Sequence, residues 1–295
     1  MSYISKEVGM PLKKGDRVRH PTKADWGLGE LLEDSNGETA RVFFVGGGEK
    51  SISLKYVALD PVPADDAQHP VLDNLRVPSP DGGVRYRTLS RSKERFLELF
   101  PEGFYGTRFM TEERDYKVRA HELAKELLDQ NSLLGLLSAG DHGEVCRRAL
   151  RVCNATNLIF PNEKMALKDG LESPEHKEAF STALFALLHG EEGLESRFNA
   201  YAEVLESIGA AKWTTATYFL FIVHPDEYMF LKPMITQNAA EICGFEINYR
   251  PGLNWLTFAS VQKFANYLKS ELIDLKPRDM IDVQSFMWCI APDKR

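Results

Sequence analysis

Two aspartates near the C-terminus, Asp279 and Asp282, have a spacing that suits a pair of catalytic carboxylates. Residues three apart share one face of a helix. A carboxylate there could stabilise the positive charge that builds on a sugar as its glycosidic bond breaks. Asp279 also has an ordinary interpretation, as a first-turn charge that the helix dipole favours. Asp282 stands between apolar residues of a helix whose other face is strongly hydrophobic, which makes a purely structural role less expected there. They are candidate catalytic residues, with a structural role as the alternative.

Lys232, which stands beside Pro233 in an apolar run, is the third candidate for chemistry. A lysine that is removed from water there could act as an amine nucleophile. The alternative is that the ammonium group extends past the apolar surface to reach water. We therefore carry Lys232 forward as a candidate catalytic residue.

Side chains able to hold a nucleobase occur in the same part of the chain. Trp213 and Tyr228 are candidates for stacking on a base, a contact that contributes about 1–3 kcal/mol. Gln237 carries an amide that can pair with the hydrogen-bonding edge of a base. Core packing is the alternative for the aromatic residues, above all for Trp213. Together these residues predict a base pocket.

These candidates lie in a stretch that begins near Ser90, where apolar residues start to recur with a period near 3.6. That period predicts amphipathic helices. No heptad persists, so we expect an array of crossing helices rather than a coiled coil. Beyond the first helix, the expected spans are 112–130, 142–153, 175–190, 194–208, 212–223, 234–243, 257–273 and 277–290.

The first sixty residues show a different pattern, with short β-branched or aromatic runs broken by Gly, Asn and Asp. This pattern predicts strands near 16–20, 28–32, 40–45 and 51–54, folded into a small β-barrel. Prolines and aspartates without periodicity follow, as in an extended linker. We predict a mainly α protein with a small N-terminal β-barrel. The barrel covers residues 1–63, the linker 64–89 and the helical domain 90–295.

Three motifs stand out in the barrel segment: GDRVRHP at 15–21, WGLG at 26–29 and LKYV at 54–57. With them, the segment resembles a small domain of unknown function that is also appended to UvrD/PcrA-type helicases and has a Tudor-like or CarD-like barrel. Such barrels bind a protein partner, often RNA polymerase, or nucleic acid. The resemblance therefore implies docking rather than catalysis. Arg17 and Arg19 belong to a basic cluster that could contact phosphates.

Residues 207–244 have the order of parts found in a DNA-binding hairpin. A helix ends at Ile208, a turn follows at Gly209, a second helix opens at Lys212, and the segment PMITQ comes later. This order resembles the helix-hairpin-helix DNA glycosylases, in particular the alkyladenine-glycosylase type. The resemblance implies that amides near Gly209 bind a DNA phosphate and that Lys212 adds charge. Ile235 stands where that family has its catalytic aspartate, so the acid would come from elsewhere.

Composition limits the partners and the compartment. The 295 residues include 36 Lys and Arg against 43 Asp and Glu, a net charge of −7, so a DNA site must be a local patch. Four cysteines without a CxxC pair argue against disulfides and zinc, and we predict no metal and no cofactor. The N-terminus has no apolar signal segment, and no apolar run is long enough to span a membrane. We expect a cytoplasmic protein without membrane contact.

The plan of the whole chain, a barrel followed by a degenerate glycosylase-like domain, is similar to anti-phage DNA glycosylases that remove α-glucosylated hydroxymethylcytosine. The resemblance implies an enzyme that extrudes a modified base from double-stranded phage DNA and leaves an abasic site. The barrel would contact DNA or a protein partner. The alternative is a non-catalytic reader of modified DNA, or an adaptor that docks a helicase or polymerase.

Overall fold

The computed structural model describes residues 12–77 and 85–291. The chain divides into two compact units. The N-terminal unit comprises Met1–Ser92 together with Glu241–Glu246, and the helical unit comprises Lys93–Ala240 together with Ile247–Arg295. Nothing in the sequence pattern indicates that Glu241–Glu246 belongs to the N-terminal unit.

The N-terminal unit contains a five-stranded antiparallel sheet with the order β4-β3-β2-β1-β5. The strands are β1 (Arg17–Arg19), β2 (Leu28–Leu31), β3 (Thr39–Phe44), β4 (Gly48–Ser53) and β5 (Asp60–Pro61). The first four lie where the sequence pattern predicts strands. The expected closed barrel is wrong, because closure requires a ladder between the edge strands. The edges here are β4 and β5, and β5 is only two residues long.

The core of this unit follows the alternation of its strands. The buried residues that form it include Val18, Leu31, Val42 and Phe44. Gly29 allows close packing, because a Cβ atom at that position would lie 2.6 Å from the Phe44 ring. This core lies against one face of the sheet, while Phe43 on the opposite face is buried against the Tyr86 ring, 4.7 Å away between centroids.

The rest of the described chain is mostly helical. The first helices are α1 (Leu89–Leu99), α2 (Thr107–Phe109), α3 (Asp115–Leu127), α4 (Gln130–Ser138), α5 (His142–Asn154) and α6 (Pro161–Gly170). The later ones are α7 (Pro174–His189), α8 (Leu194–Ser207), α9 (Trp213–Val223), α10 (Pro233–Ile242), α11 (Trp255–Glu271) and α12 (Met280–Ile290). A π-helical turn, Met110–Arg114, joins α2 to α3.

The mainly helical character of the chain is confirmed. Helices α4 and α6 were not predicted, and both have local starting signals. Asp129 caps α4 through a hydrogen bond from the Ser132 amide, and Pro161 occupies the first position of α6. Within the described ranges, no helix has the length and apolar content needed to cross a membrane.

Two helices of the helical unit are buried almost all round. Every residue from Trp213 to Ile222 in α9 is buried, and Trp288 alone is exposed in α12. A helix that is buried on all sides must find partners within the protein for its polar side chains. In α12 those side chains include Asp282, Gln284 and Ser285.

Candidate functional site

The two aspartates singled out by their spacing lie together in a buried ion cluster. Arg114 donates from Nη1 to Asp279 Oδ1 at 2.7 Å and from Nη2 to Asp279 Oδ2 at 2.6 Å. Its Nη1 also lies 2.8 Å from Asp282 Oδ1, and Arg278 Nε lies 2.9 Å from Asp282 Oδ2. The Asp282 side chain is fully buried. Two guanidinium groups therefore hold both carboxylates.

Asp279 also caps the start of α12. Its Oδ1 accepts hydrogen bonds from the amides of Ile281 at 3.0 Å and Asp282 at 3.3 Å. Burial lowers the pKa of Arg114, but its hydrogen bond to Asp279 and the charges of the two aspartates outweigh this, so the pKa is raised overall. The geometry favours an anchoring role for both aspartates, and their catalytic role stays a prediction.

A polar cleft of about 160 Å³ opens beside α12. The turn Met110–Arg114 and α3 contribute Glu112, Glu113, Tyr116 and Lys117, and the segment before α6 contributes Asn157 and Leu158. The remaining lining residues are Lys232, Gln284 and Trp288. We call this site the Lys117 cleft. A π-helical turn in its wall is notable because such turns often occur at functional sites.

Lys117 is the buried charge of the cleft. Its side chain is 1% exposed, and its Nζ donates to Ser285 Oγ at 2.8 Å. One helical turn earlier, Glu113 Oε2 lies 3.5 Å from the same Nζ. Burial lowers the pKa of Lys117 to about 8, although the charge of Glu113 opposes the shift. Burial also raises the pKa of Glu113, with Lys117 opposing. Burial thus disfavours the charged form of both groups, and each stabilises the charge of the other.

Lys232 contacts two aromatic rings, of which Trp288 lines the cleft. Its Nζ is 4.6 Å from the centroid of the Phe160 ring and 5.5 Å from that of Trp288. Both rings are about half exposed. Burial lowers the pKa of Lys232, and no carboxylate in the described ranges lies within 4 Å of its ammonium group. Of the three candidate catalytic residues that the sequence suggested, Lys232 thus lies in the cleft.

Gln284 is a buried residue whose side-chain oxygen lacks a hydrogen bond. The residue is 4% exposed, and its Oε1 has no partner among the described residues. An unpaired buried polar atom costs about 1–3 kcal/mol, so native proteins rarely keep one without a reason. Gln284 also lines the cleft, so a ligand in the cleft would lie beside this side chain.

The residues predicted to form a base pocket do not line this cleft. Trp213 is 2% exposed, and its Nε1 donates to the carbonyl of Arg250 at 2.9 Å. Tyr228 is half-buried, and its pKa is raised by burial and by the charge of Glu227. Gln237 donates to the Pro233 carbonyl at 3.1 Å within its own helix. The structure therefore does not bring these three side chains together around Lys232.

Gly209 ends α8 in a left-handed conformation, with φ +70°. Its amide donates to Glu206 and that of Ala210 donates to Leu205, which is the hydrogen-bond pattern of a Schellman cap. Both amides are thus engaged inside the turn. Lys212 is exposed at the start of α9, where its ammonium group is accessible to an anion. Phosphate binding by the hairpin stays a prediction.

The basic cluster of the N-terminal unit divides into paired and accessible charges. Arg17 forms ion pairs with Glu30 and, at 2.8 Å, with Asp73. Arg19 is exposed, and no carboxylate in the part of the chain that the structure describes lies within 4 Å of its guanidinium group. Arg19 is therefore better placed than Arg17 to bind a phosphate.

Sequence reasoning missed Glu113, Lys117, Gln284 and Trp288. Glu113 and Lys117 look like an ordinary surface pair at i,i+4. The signal that could have found the site is the α12 sequence MIDVQSFMWCI, in which polar residues interrupt an apolar helix. Residues 12–77 and 85–291 contain no cluster of His, Cys, Asp and Glu that could hold a metal ion.

Residues 12–62 match the family model described as "Protein of unknown function (DUF3553)". The match includes all five strands of the N-terminal unit and none of the helices of the helical unit. No match was found among the curated proteins or among the solved structures. The helical unit must therefore be interpreted from its own geometry.

Proposed function

We propose that the helical unit is a DNA glycosylase that takes an extruded base into the Lys117 cleft. The observation that carries this proposal is the unpaired Gln284 amide in the cleft wall. A flipped base offers hydrogen-bonding groups along its edge that such an amide can satisfy. The half-exposed ring of Trp288 supplies a stacking surface in the cleft, and Phe160 offers a second half-exposed ring beside Lys232.

Glu113 and Lys117 then carry out the bond cleavage. The bond between the sugar C1′ and the base nitrogen breaks, and its electron pair leaves with the base, which takes a proton from the Lys117 ammonium group. The Glu113 carboxylate stabilises the cationic sugar. It accepts a proton from the water whose oxygen bonds to C1′. Transfer of that proton across the 3.5 Å to Lys117 restores both groups.

DNA would be held through local basic groups, since the net charge is negative. Arg19 and Lys212 are exposed cations suited to phosphate contacts. The order of parts from α8 to α9 supports a hairpin of the helix-hairpin-helix type, and the N-terminal unit supports a Tudor-like docking module. Together with the resemblance in plan, these features favour double-stranded phage DNA with a modified base as the substrate, in the cytoplasm, in antiviral defence.

The second candidate is a non-catalytic reader of modified DNA, with the N-terminal unit as an adaptor for a protein partner. It is favoured by the fact that both carboxylates of the cleft are ion-paired. Glu112 Oε1 lies 2.8 Å from Arg108 Nε, and Glu113 lies 3.5 Å from Lys117. Such a protein would bind the base in the same cleft without releasing it.

Strand-break assays test this proposal. Duplexes that carry α-glucosylated hydroxymethylcytosine, other modified cytosines or no modification are incubated with the full chain and then treated with alkali. We expect breaks at the modified base with the wild-type protein, a loss of about a hundredfold or more in rate for Glu113→Gln, and no loss for the exposed Glu122→Gln. Tight binding with intact DNA would support the reader instead.

A further inference from the structure

A second groove of the helical unit lies along α7 and α8, on residues that no step of the proposed function uses. Its volume is about 970 Å³, which is near the upper end of the range of about 300–1,000 Å³ for ligand pockets. Both helices belong to the helical unit. The groove therefore needs an explanation independent of the Lys117 cleft.

The apolar floor of this groove consists mostly of small side chains, with Phe185 as its one large residue. Ala179, Ala183 and Ala186 recur at helical spacing along α7, and Ala200 and Val204 follow the facing part of α8. Residues at this spacing share one helix face. Small side chains let a second helix approach the backbone closely. The floor thus has the shape that an additional helix would fill.

Acidic side chains form the rim. The groove is lined by five glutamates, at positions 175, 178, 191, 192 and 203, all of them exposed. In the described ranges, none of these carboxylates has a basic side chain within 4 Å. The one basic residue of the lining, Arg197, donates to the backbone carbonyls of Glu192 and Leu187. The rim is therefore negative and lacks counterions of its own.

We propose that the groove between α7 and α8 docks a basic amphipathic helix of a protein partner, with apolar residues on the alanine floor and Lys or Arg side chains on the glutamate rim. This is the helix-in-groove mode of recognition, in which opposite charges favour encounter and orientation. A second copy of this chain is a poorer fit. Its exposed basic helix, α5, buries its apolar residues Val145, Ala149 and Val152 within its own unit.

The test measures fluorescence anisotropy of a labelled peptide with the full chain. The probe is a peptide of Lys, Leu and Ala, about 18 residues or five helical turns long, with its apolar residues on one face. A scrambled peptide of the same composition is the control for charge alone. We expect saturable binding of the amphipathic peptide that weakens as salt is raised, and at least about tenfold weaker binding of the scrambled peptide.

Variants locate the binding. Glu178→Gln with Glu203→Gln removes rim charge, and Ala183→Trp fills the floor. Each is expected to weaken binding about tenfold or more, while Glu195→Gln with Glu206→Gln, on exposed positions outside the groove, leaves it unchanged. Equal binding of both peptides, no binding, or binding that the groove variants leave intact overturns the proposal. So does self-association that Ala183→Trp abolishes. Glycosylase activity is expected to be unaffected by Ala183→Trp, so the two proposals fail separately.

Discussion

The Nζ of Lys117 lies 3.5 Å from the Glu113 carboxylate and 2.8 Å from Ser285 Oγ, inside a wall of the cleft where the lysine is almost inaccessible to solvent. A lysine with so little water keeps its charge through neighbours such as these, and the charge of Asp282 adds to their effect. Because burial lowers the pKa of Lys117, this arrangement leads directly to a dependence of stability on pH.

The free energy of unfolding is expected to depend on pH through the titration of Lys117. Its pKa is about 8 in the folded protein and near 10.5 when unfolded. Between these two pH values the unfolded state binds more protons than the folded state, so the free energy of unfolding increases as the pH rises. The gain amounts to roughly 3 kcal/mol over the full window. Urea unfolding of the wild type and of Lys117→Met between pH 7.5 and 10.5 measures this increase as the difference between the two proteins. If the free energy of unfolding changes with pH in the same way in both, Lys117 is not its source.

Asp282→Asn is expected to destabilise the protein by about 3–5 kcal/mol, because it leaves the buried Arg114 and the half-buried Arg278 with too little negative charge. The control is Glu98→Gln, which removes an exposed partner of Arg95 and is expected to change stability by less than about 1 kcal/mol. Denaturant midpoints measure both. If Asp282→Asn unfolds at the wild-type midpoint but releases no base, Asp282 is catalytic rather than anchoring.

Replacing the unpaired Gln284 amide should separate stability from binding. Gln284→Met keeps the length of the side chain and removes the unsatisfied oxygen, so we expect about 1 kcal/mol of added stability together with weaker DNA binding. Gln262→Met is the matched change, because that amide bridges the Met229 amide and the Glu227 carbonyl. It is expected to lose about 1–2 kcal/mol. Similar losses in both variants would show that Gln284 has a partner in the folded protein.

Gly209→Ala tests the cap of α8. An alanine in the left-handed conformation is expected to cost about 1 kcal/mol. By contrast, Gly135→Ala lies inside α4 with open space around its Cβ and is expected to stabilise by about 0.5–1 kcal/mol. Thermal unfolding of the two variants gives the comparison. An unchanged midpoint for Gly209→Ala would mean that the turn does not require its positive φ.

Periodicity and turn residues were enough to predict the mainly helical character and four of the strands, because those depend on local sequence. The shared face of Asp279 and Asp282 was also predictable from spacing. Their true partner was not, since Arg114 lies 165 residues earlier in the chain. The edge strands of the N-terminal sheet could not be predicted either. The sequence pattern of a strand does not specify the strand with which it pairs.

The Lys117 cleft could not be predicted for a similar reason. Glu113 and Lys117 have the spacing of a solvated surface pair, and only packing against α12 buries the lysine beside Ser285. For Trp213 the sequence suggested a base-stacking role, with core packing as the alternative, and the structure shows a buried residue. An aromatic residue at the start of a helix can contact a ligand or pack in the core, and only its burial distinguishes the two.

A crystal structure of the full chain with a duplex that contains a stable abasic-site analogue tests the central claim most directly. The abasic sugar marks where the reaction takes place, whichever base the protein removes. We predict the sugar beside Glu113 and Lys117, with Gln284 and Trp288 facing the space that the base vacated. A sugar placed beside Asp282 or Tyr228, or DNA bound with no nucleotide extruded toward the cleft, would contradict the account.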